Sequence, residues 1–226
     1  MVVVTAAALL WLAPGATAKP PAHEAATAQV SPAEALTRLK AGNQRFVAGA
    51  LRHPHQTTER RAELARQQQP FAVVLGCADS RTPPEVIFDQ GLGDLFVVRV
   101  AGNVLNDETL GSIEYAVEHL GVRLIVVLGH QRCGAVTAAC ETLAANGQAP
   151  GHLESLVRAL RPAVEATTGA GVEATTKRNA LDVAEAIRNS EPVLKPLARA
   201  GKVSVVGAYY DLDSGAATFL APPTNP

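Results

Sequence analysis

Two apolar runs constrain this chain more than any other feature: Val73, Val74, Leu75, Gly76 leading into Cys77, and Ile125, Val126, Val127, Leu128, Gly129 leading into His130. Short β-branched runs without polar alternation read as strands covered on both faces, as parallel strands in an α/β sheet are. Each run ends in a glycine and then a metal-competent side chain. In an open α/β sheet, chemistry gathers outside the carboxyl ends of the strands, so both runs would deliver their ligands to one crevice. Cys133 follows His130 at an HxxC spacing, which lets one turn of backbone present both to a single ion. Two thiolates and an imidazole are a set that zinc prefers, and three protein ligands keep a fourth position open for water or substrate. Taken singly, each of these residues reads more plainly as packing, since free cysteine is among the most buried residue types. Their combination, with Asp79, Ser80 and Arg81 directly behind Cys77, points to a metal site.

These residues also carry a resemblance. CADSR at 77–81, IFDQGLGDLFVVRVAGN at 87–103 and GHQRCGAV at 129–136 resemble the β-class carbonic anhydrases, whose signature is CxDxR followed by HxxC. The similarity runs from about Ser31 to Phe219 and takes in VSVVGAYYDLDSG at 203–215. It implies that Cys77, His130 and Cys133 bind Zn2+, that Asp79 and Arg81 form a catalytic dyad beside it, and that N-terminal helices reach across to a neighbouring subunit. The implied activity is zinc-dependent reversible hydration of carbon dioxide to bicarbonate and a proton, by attack of a zinc-bound hydroxide.

With 226 residues the chain can bury one sizeable core, and its elements divide into no second set, so a single α/β domain with a mostly parallel sheet flanked by helices is expected over 31–226. A net charge of −1 offers no basic patch for nucleic acid and suits a small neutral or singly charged substrate. Residues 1–18 are uncharged, broken by Pro14 and Gly15, and end in Ala16, Thr17, Ala18, a small-x-small cleavage pattern. They read as a secretory signal, although no basic residue precedes the apolar core, and they are too short to span a membrane. The expected location is therefore periplasmic or secreted, with no membrane attachment after cleavage. Residues 19–30 read as a flexible linker.

Ser31, Pro32, Ala33, Glu34 is a capping box that opens a helix with Leu36, Leu39, Phe46 and Val47 on its apolar face. A second helix is expected over 58–68, with so little apolar surface that the pair hints at a homodimer or a higher even-numbered homo-oligomer. Thr82 to Glu85 repeats the cap pattern and starts a short helix through Phe88, which makes Glu85 a helix-start residue. Gly91 and Gly93 precede a strand, Leu95 to Val100, so they form no phosphate loop. Asp107 is expected to cap a helix from Glu108 to Leu120 stopped by Gly121, with His119 structural or on the surface. A helix opening at Cys133 places that sulfur at the positive end of the dipole, which favours its thiolate, while Cys140 two turns on packs in the core. Helices over 153–166 and 176–189 and a hairpin on Asp213, Ser214, Gly215 complete the chain.

Two thiolates leave a zinc centre formally neutral, so its water should be less acidic than the approximately 7 of an all-histidine site, and activity should rise toward alkaline pH. Asp79 can accept the hydrogen of the attacking hydroxide and Arg81 can keep Asp79 ionised. His152 is a loose candidate for carrying the proton to bulk. Hydrolysis of carbon disulfide or carbonyl sulfide on the same fold, a non-catalytic zinc module, and a thiol redox role for Cys77 and Cys133 are the alternatives.

Overall fold

The computed structural model describes residues 30–221, so the signal segment expected over 1–18, and the linker except for Val30, lie outside the described residues. In chain order the elements are α1 (Pro32–Val47), α2 (Thr58–Leu64), β1 (Ala72–Gly76), α3 (Pro84–Ile87), β2 (Leu95–Arg99), a 3-10 turn (Ala101–Asn103), α4 (Asp107–His119), β3 (Leu124–His130), α5 (Gly134–Ala144), α6 (Leu153–Ala166), α7 (Gly171–Arg188), α8 (Leu194–Arg199), β4 (Ser204–Tyr210) and β5 (Ala217–Phe219). The strands form one sheet in the order β2-β1-β3-β4-β5, parallel throughout except for β5, which runs antiparallel to β4.

The two runs that dominate the sequence are β1 and β3, neighbours at the centre of the sheet and buried at every position. Strand side chains alternate between faces, so each run feeds two cores. Val73, Leu75, Ile125 and Val127 pack with Ile113 and Val117 of α4 and Val183 and Ile187 of α7. Val74, Leu124, Val126 and Leu128 pack on the other face with Ala35 and Leu39 of α1 and with Ile87 and Phe88. At roughly 1.5–3 kcal/mol per buried large aliphatic side chain, this double cover holds the two strands in register. Val73 pairs with Ile125 and Gly76 with Leu128, so Cys77 and His130 leave the sheet at the same edge. A third cluster, with Val136, Ala139, Val157 and Leu160 from α5 and α6, encloses Cys77 and Cys133.

α1 lies on its own sheet, with Ala35 and Leu39 fully enclosed. Its face differs from the expected one: Val47 is exposed, while Gly42 and Asn43 are buried. Gly42 comes so near α3 that a Cβ there would stand 1.7 Å from the Phe88 carbonyl oxygen. Asn43 donates to the carbonyls of Ile87 (3.1 Å) and Gly215 (2.9 Å) and accepts from the Ala217 amide (2.8 Å), so a polar residue sits on the buried stripe. Only half of the expected capping box forms, because Glu34 turns to Arg38 instead of to the Ser31 amide.

Other boundaries move for local reasons. α2 stops at Leu64 and buries no residue. Thr82 does not cap α3; its hydroxyl donates to the Asp79 carbonyl at 3.0 Å, and Pro83 holds the cap position. Asn106, not Asp107, caps α4, because Asn106 and Thr109 exchange side-chain and backbone hydrogen bonds at 2.9 and 3.0 Å. α7 begins at Gly171, five residues before the expected start, with Thr175 and Thr176 buried and bonding to the carbonyls one turn back. α8 was not expected at all; its Pro196 falls in the first turn, where no amide is needed.

Candidate metal centre

The carboxyl edge of β1 and β3 brings Cys77, His130 and Cys133 together. Their ligand atoms all lie within 4.8 Å of one another, with the two sulfurs 4.0 Å apart, and all three residues are buried. Cys77 is the first residue past β1, His130 the last of β3, and Cys133 the residue that opens α5. The His130 ring is oriented by Nδ1, which donates to the Gln131 carbonyl at 2.9 Å, so Nε2 is the acceptor nitrogen. Nε2 is buried without a hydrogen-bond partner. A buried acceptor left orphaned between two sulfurs is costly unless a cation completes it, and two sulfurs with one imidazole nitrogen suit zinc.

Each sulfur has its own surroundings. Cys77 Sγ accepts from the amides of Asp79 (3.4 Å) and Gly102 (3.3 Å). The hydrogen bond from the Cys133 thiol, helped by these two amides, works against burial and draws the Cys77 thiol down. Cys133 is pushed up, first by the Cys77 thiolate and then by burial, although the α5 amides of Ala135 and Val136 act the other way. The expected lowering at the helix start is present in those two amides, and a divalent cation between the sulfurs would favour the thiolate form of both.

Asp79 stands beside this cluster, its Oδ2 3.9 Å from His130 Nε2. Arg81 grips it with a two-pronged bond, Nε to Oδ1 at 2.9 Å and Nη2 to Oδ2 at 2.7 Å, and the Arg81 amide adds a third at 2.9 Å. These hydrogen bonds, against some burial, hold the Asp79 carboxyl well below the usual carboxylate range. Arg81 also reaches the Arg132 carbonyl at 3.2 Å and so ties the two ligand loops together. All five expected site residues thus converge.

Three supporting contacts escaped the sequence reading, although Asp213 was expected in the final hairpin turn. Arg99 ends β2 and donates to the Cys77 carbonyl (2.8 Å) and the Asp79 carbonyl (2.6 Å), holding the loop that carries both; its signal was a lone arginine closing an apolar strand. Asp213 receives Arg132 (2.9 and 2.7 Å) and Gln131 (3.1 Å), bracing the His130 to Cys133 loop against the β4–β5 turn. Asn179 of α7 donates to the Gly102 carbonyl at 3.0 Å. The residues set aside stay outside the cluster: Cys140 faces Thr175 (3.9 Å), His119 is exposed against the Tyr115 ring (4.9 Å), Glu85 is exposed on α3, and His152 is exposed at the start of α6. Gly91 and Gly93 belong to a turn closed by Asp94, which accepts the Gly91 amide at 2.8 Å.

Comparison with known proteins agrees with this geometry. Residues 72–217 match the family model described as carbonic anhydrase. The chain is 43% identical over 192 residues to carbonic anhydrase 2 of Mycobacterium tuberculosis, covering 84% of this chain and 93% of that protein. It is 45% identical over 189 residues to a carbonic anhydrase of Mycolicibacterium smegmatis, covering 82% and 91%. Among solved structures it is similar to the β-carbonic anhydrase CafA of Aspergillus fumigatus (TM-score 0.65, 28% identity, covering 84% of this chain and 92% of that one). It is likewise similar to one of two tetrameric β-carbonic anhydrases of Sordaria macrospora (TM-score 0.65, 26% identity, covering 80% and 93%).

Proposed function

The chain belongs to the β-class carbonic anhydrases, zinc enzymes that hydrate carbon dioxide, and from that premise we propose how its own residues carry the reaction. Cys77, His130 and Cys133 would hold the zinc, and the observation that carries this is the meeting of their three ligand atoms within 4.8 Å, with His130 Nε2 buried and otherwise without a partner. Zinc bound there supplies the electrophilic centre that makes water acidic enough to attack carbon dioxide. Asp79, ionised across the neutral range by Arg81, accepts the hydrogen of the attacking oxygen and turns its lone pair toward the substrate carbon. Because both Asp79 oxygens are taken up by the fixed fork of Arg81, the carboxylate is held as an acceptor beside the ligands instead of swinging among them. Val104, Val136, Val157 and Leu160 give the site an apolar wall, which lets carbon dioxide in and strengthens the charged interactions at its edge. Stopped-flow hydration with and without a chelator tests the reading: chelated protein that hydrates carbon dioxide at the full rate would sink it.

The same reading takes the chain as a homodimer or a higher even-numbered homo-oligomer. It is supported by α2, which fully buries no residue against its own chain, by edge strand β2, half-buried along most of its length, and by exposed Tyr115 packed against Phe96 of that strand. Light scattering on the purified protein decides this. Export is proposed from the Ala16 to Ala18 pattern; intact mass should give Lys19 as the mature N-terminus.

A further inference from the structure

Asn179 is a buried polar residue of α7, 3% exposed, with no part in the reaction described above. Its Nδ2 donates to the carbonyl of Gly102 at 3.0 Å, which joins α7 to the 3-10 turn after β2. Gly102 in turn donates its own amide to Cys77 Sγ at 3.3 Å. The turn reaches the sulfur only because Gly102 adopts φ 71°, ψ 14°, in the left-handed region. A Cβ there would stand 3.2 Å from Leu160 and 3.3 Å from Ala135, so α5 and α6 wall the turn in on its apolar side. Asn179 provides a polar tie to the same turn through the Gly102 carbonyl. An amide donating to a thiolate withdraws charge from the sulfur, and outer hydrogen bonds of this kind tune a bound metal.

We propose that Asn179 is a positioning residue: by holding the Gly102 carbonyl it keeps the Gly102 amide on the Cys77 sulfur and so limits the charge that this thiolate donates to the zinc. The inference rests on the zinc reading of the site. Without Asn179 the turn loses its polar anchor, the amide drifts from the sulfur, and Cys77 becomes a stronger donor. A more electron-rich sulfur leaves the metal less electrophilic.

The test uses the full-length protein loaded with Co2+, whose thiolate-to-cobalt charge-transfer absorption reports the electron density on the sulfurs. In Asn179→Ala this band should move to lower energy, while the zinc-loaded variant loses roughly tenfold in kcat, at the low end of such outer-shell effects, with KM near that of the wild type. A folded Asn179→Ala with the wild-type band and kcat overturns the proposal, as does a change confined to KM. If circular dichroism shows that Asn179→Ala has not folded, Asn179→Leu, which refills the space without a donor, is judged by the same two readouts. Absence of any thiolate-to-cobalt band in the wild type would instead remove the zinc reading itself.

Discussion

Asp79 and Asp89 lie one short helix apart and are built from the same parts, yet the molecule uses them differently. Both pair with an arginine and both titrate below the usual carboxylate range. Around Asp89, burial works against the charge, and the Arg45 guanidinium with the amides of Arg52 and His53 outweighs it. Asp89 is 2% exposed, and its oxygens are fully engaged in fastening the stretch after α1 to the end of α3. Asp79 turns an oxygen toward His130 Nε2, and its arginine lies half-exposed at the mouth of the site. On the proposed reading, an aspartate–arginine pair is an anchor where it fastens two stretches of chain inside the fold, and a catalytic element where the held carboxylate stands beside the metal ligands.

The largest expected effect tests the Asp79 side at its root. Cys77→Ser or Cys133→Ser should lose both zinc and hydration activity, measured by metal analysis and stopped flow, since Asp79 has no task without the ion. Next comes Arg81→Ala, which should keep about one zinc per chain while kcat falls roughly 100-fold, the scale of a lost acid–base or positioning group. Near-wild-type turnover there would erase the distinction between the two aspartates. Asp89→Asn should do the converse: it strands Arg45 in a largely buried site and costs about 3 kcal/mol in denaturant melts, with kcat per folded molecule unchanged.

A smaller effect concerns acid. Both carboxyls are depressed in the folded chain, so each contributes its stability in full above the unfolded aspartate value of about 3.9 and loses it as pH falls through that value toward the folded one. Asp89→Asn should accordingly flatten the acid limb of stability against pH. If the limb keeps its slope, other carboxylates carry it. Smallest of all, Asp213→Ala breaks an exposed pair with Arg132 and should leave the melting temperature and kcat close to wild type, as surface ion pairs are worth little.

What the sequence reveals follows the range of the forces involved. Val73 to Cys77 and Ile125 to His130 are legible because double burial writes itself into consecutive residues, Cys77 and His130 because they end those runs, and Cys133 because it follows His130 at one-turn spacing. Asp79 and Arg81 are legible because they share one tight turn with Cys77. The α4 cap was misplaced by one residue because Asn106 and Asp107 are both cap-competent and only the Thr109 exchange chooses between them. Arg99, Asn179 and Asp89 act across the fold on carbonyls and amides, groups that every residue possesses, so no local pattern marks their targets. Asn43 was invisible for the same reason: a polar residue on an apolar stripe looks like an interruption until its three backbone partners are seen.

Cys77 and His130 hang from two central strands, whereas α2 fully buries no residue, and this should set two clocks in one chain. Amides inside β3, paired on both sides and buried, should exchange with solvent only through openings that cost close to the full free energy of unfolding. Those of α2 open by fraying, many orders of magnitude more often. The strands that carry the metal-binding edge should thus belong to the slowest-opening part of the molecule.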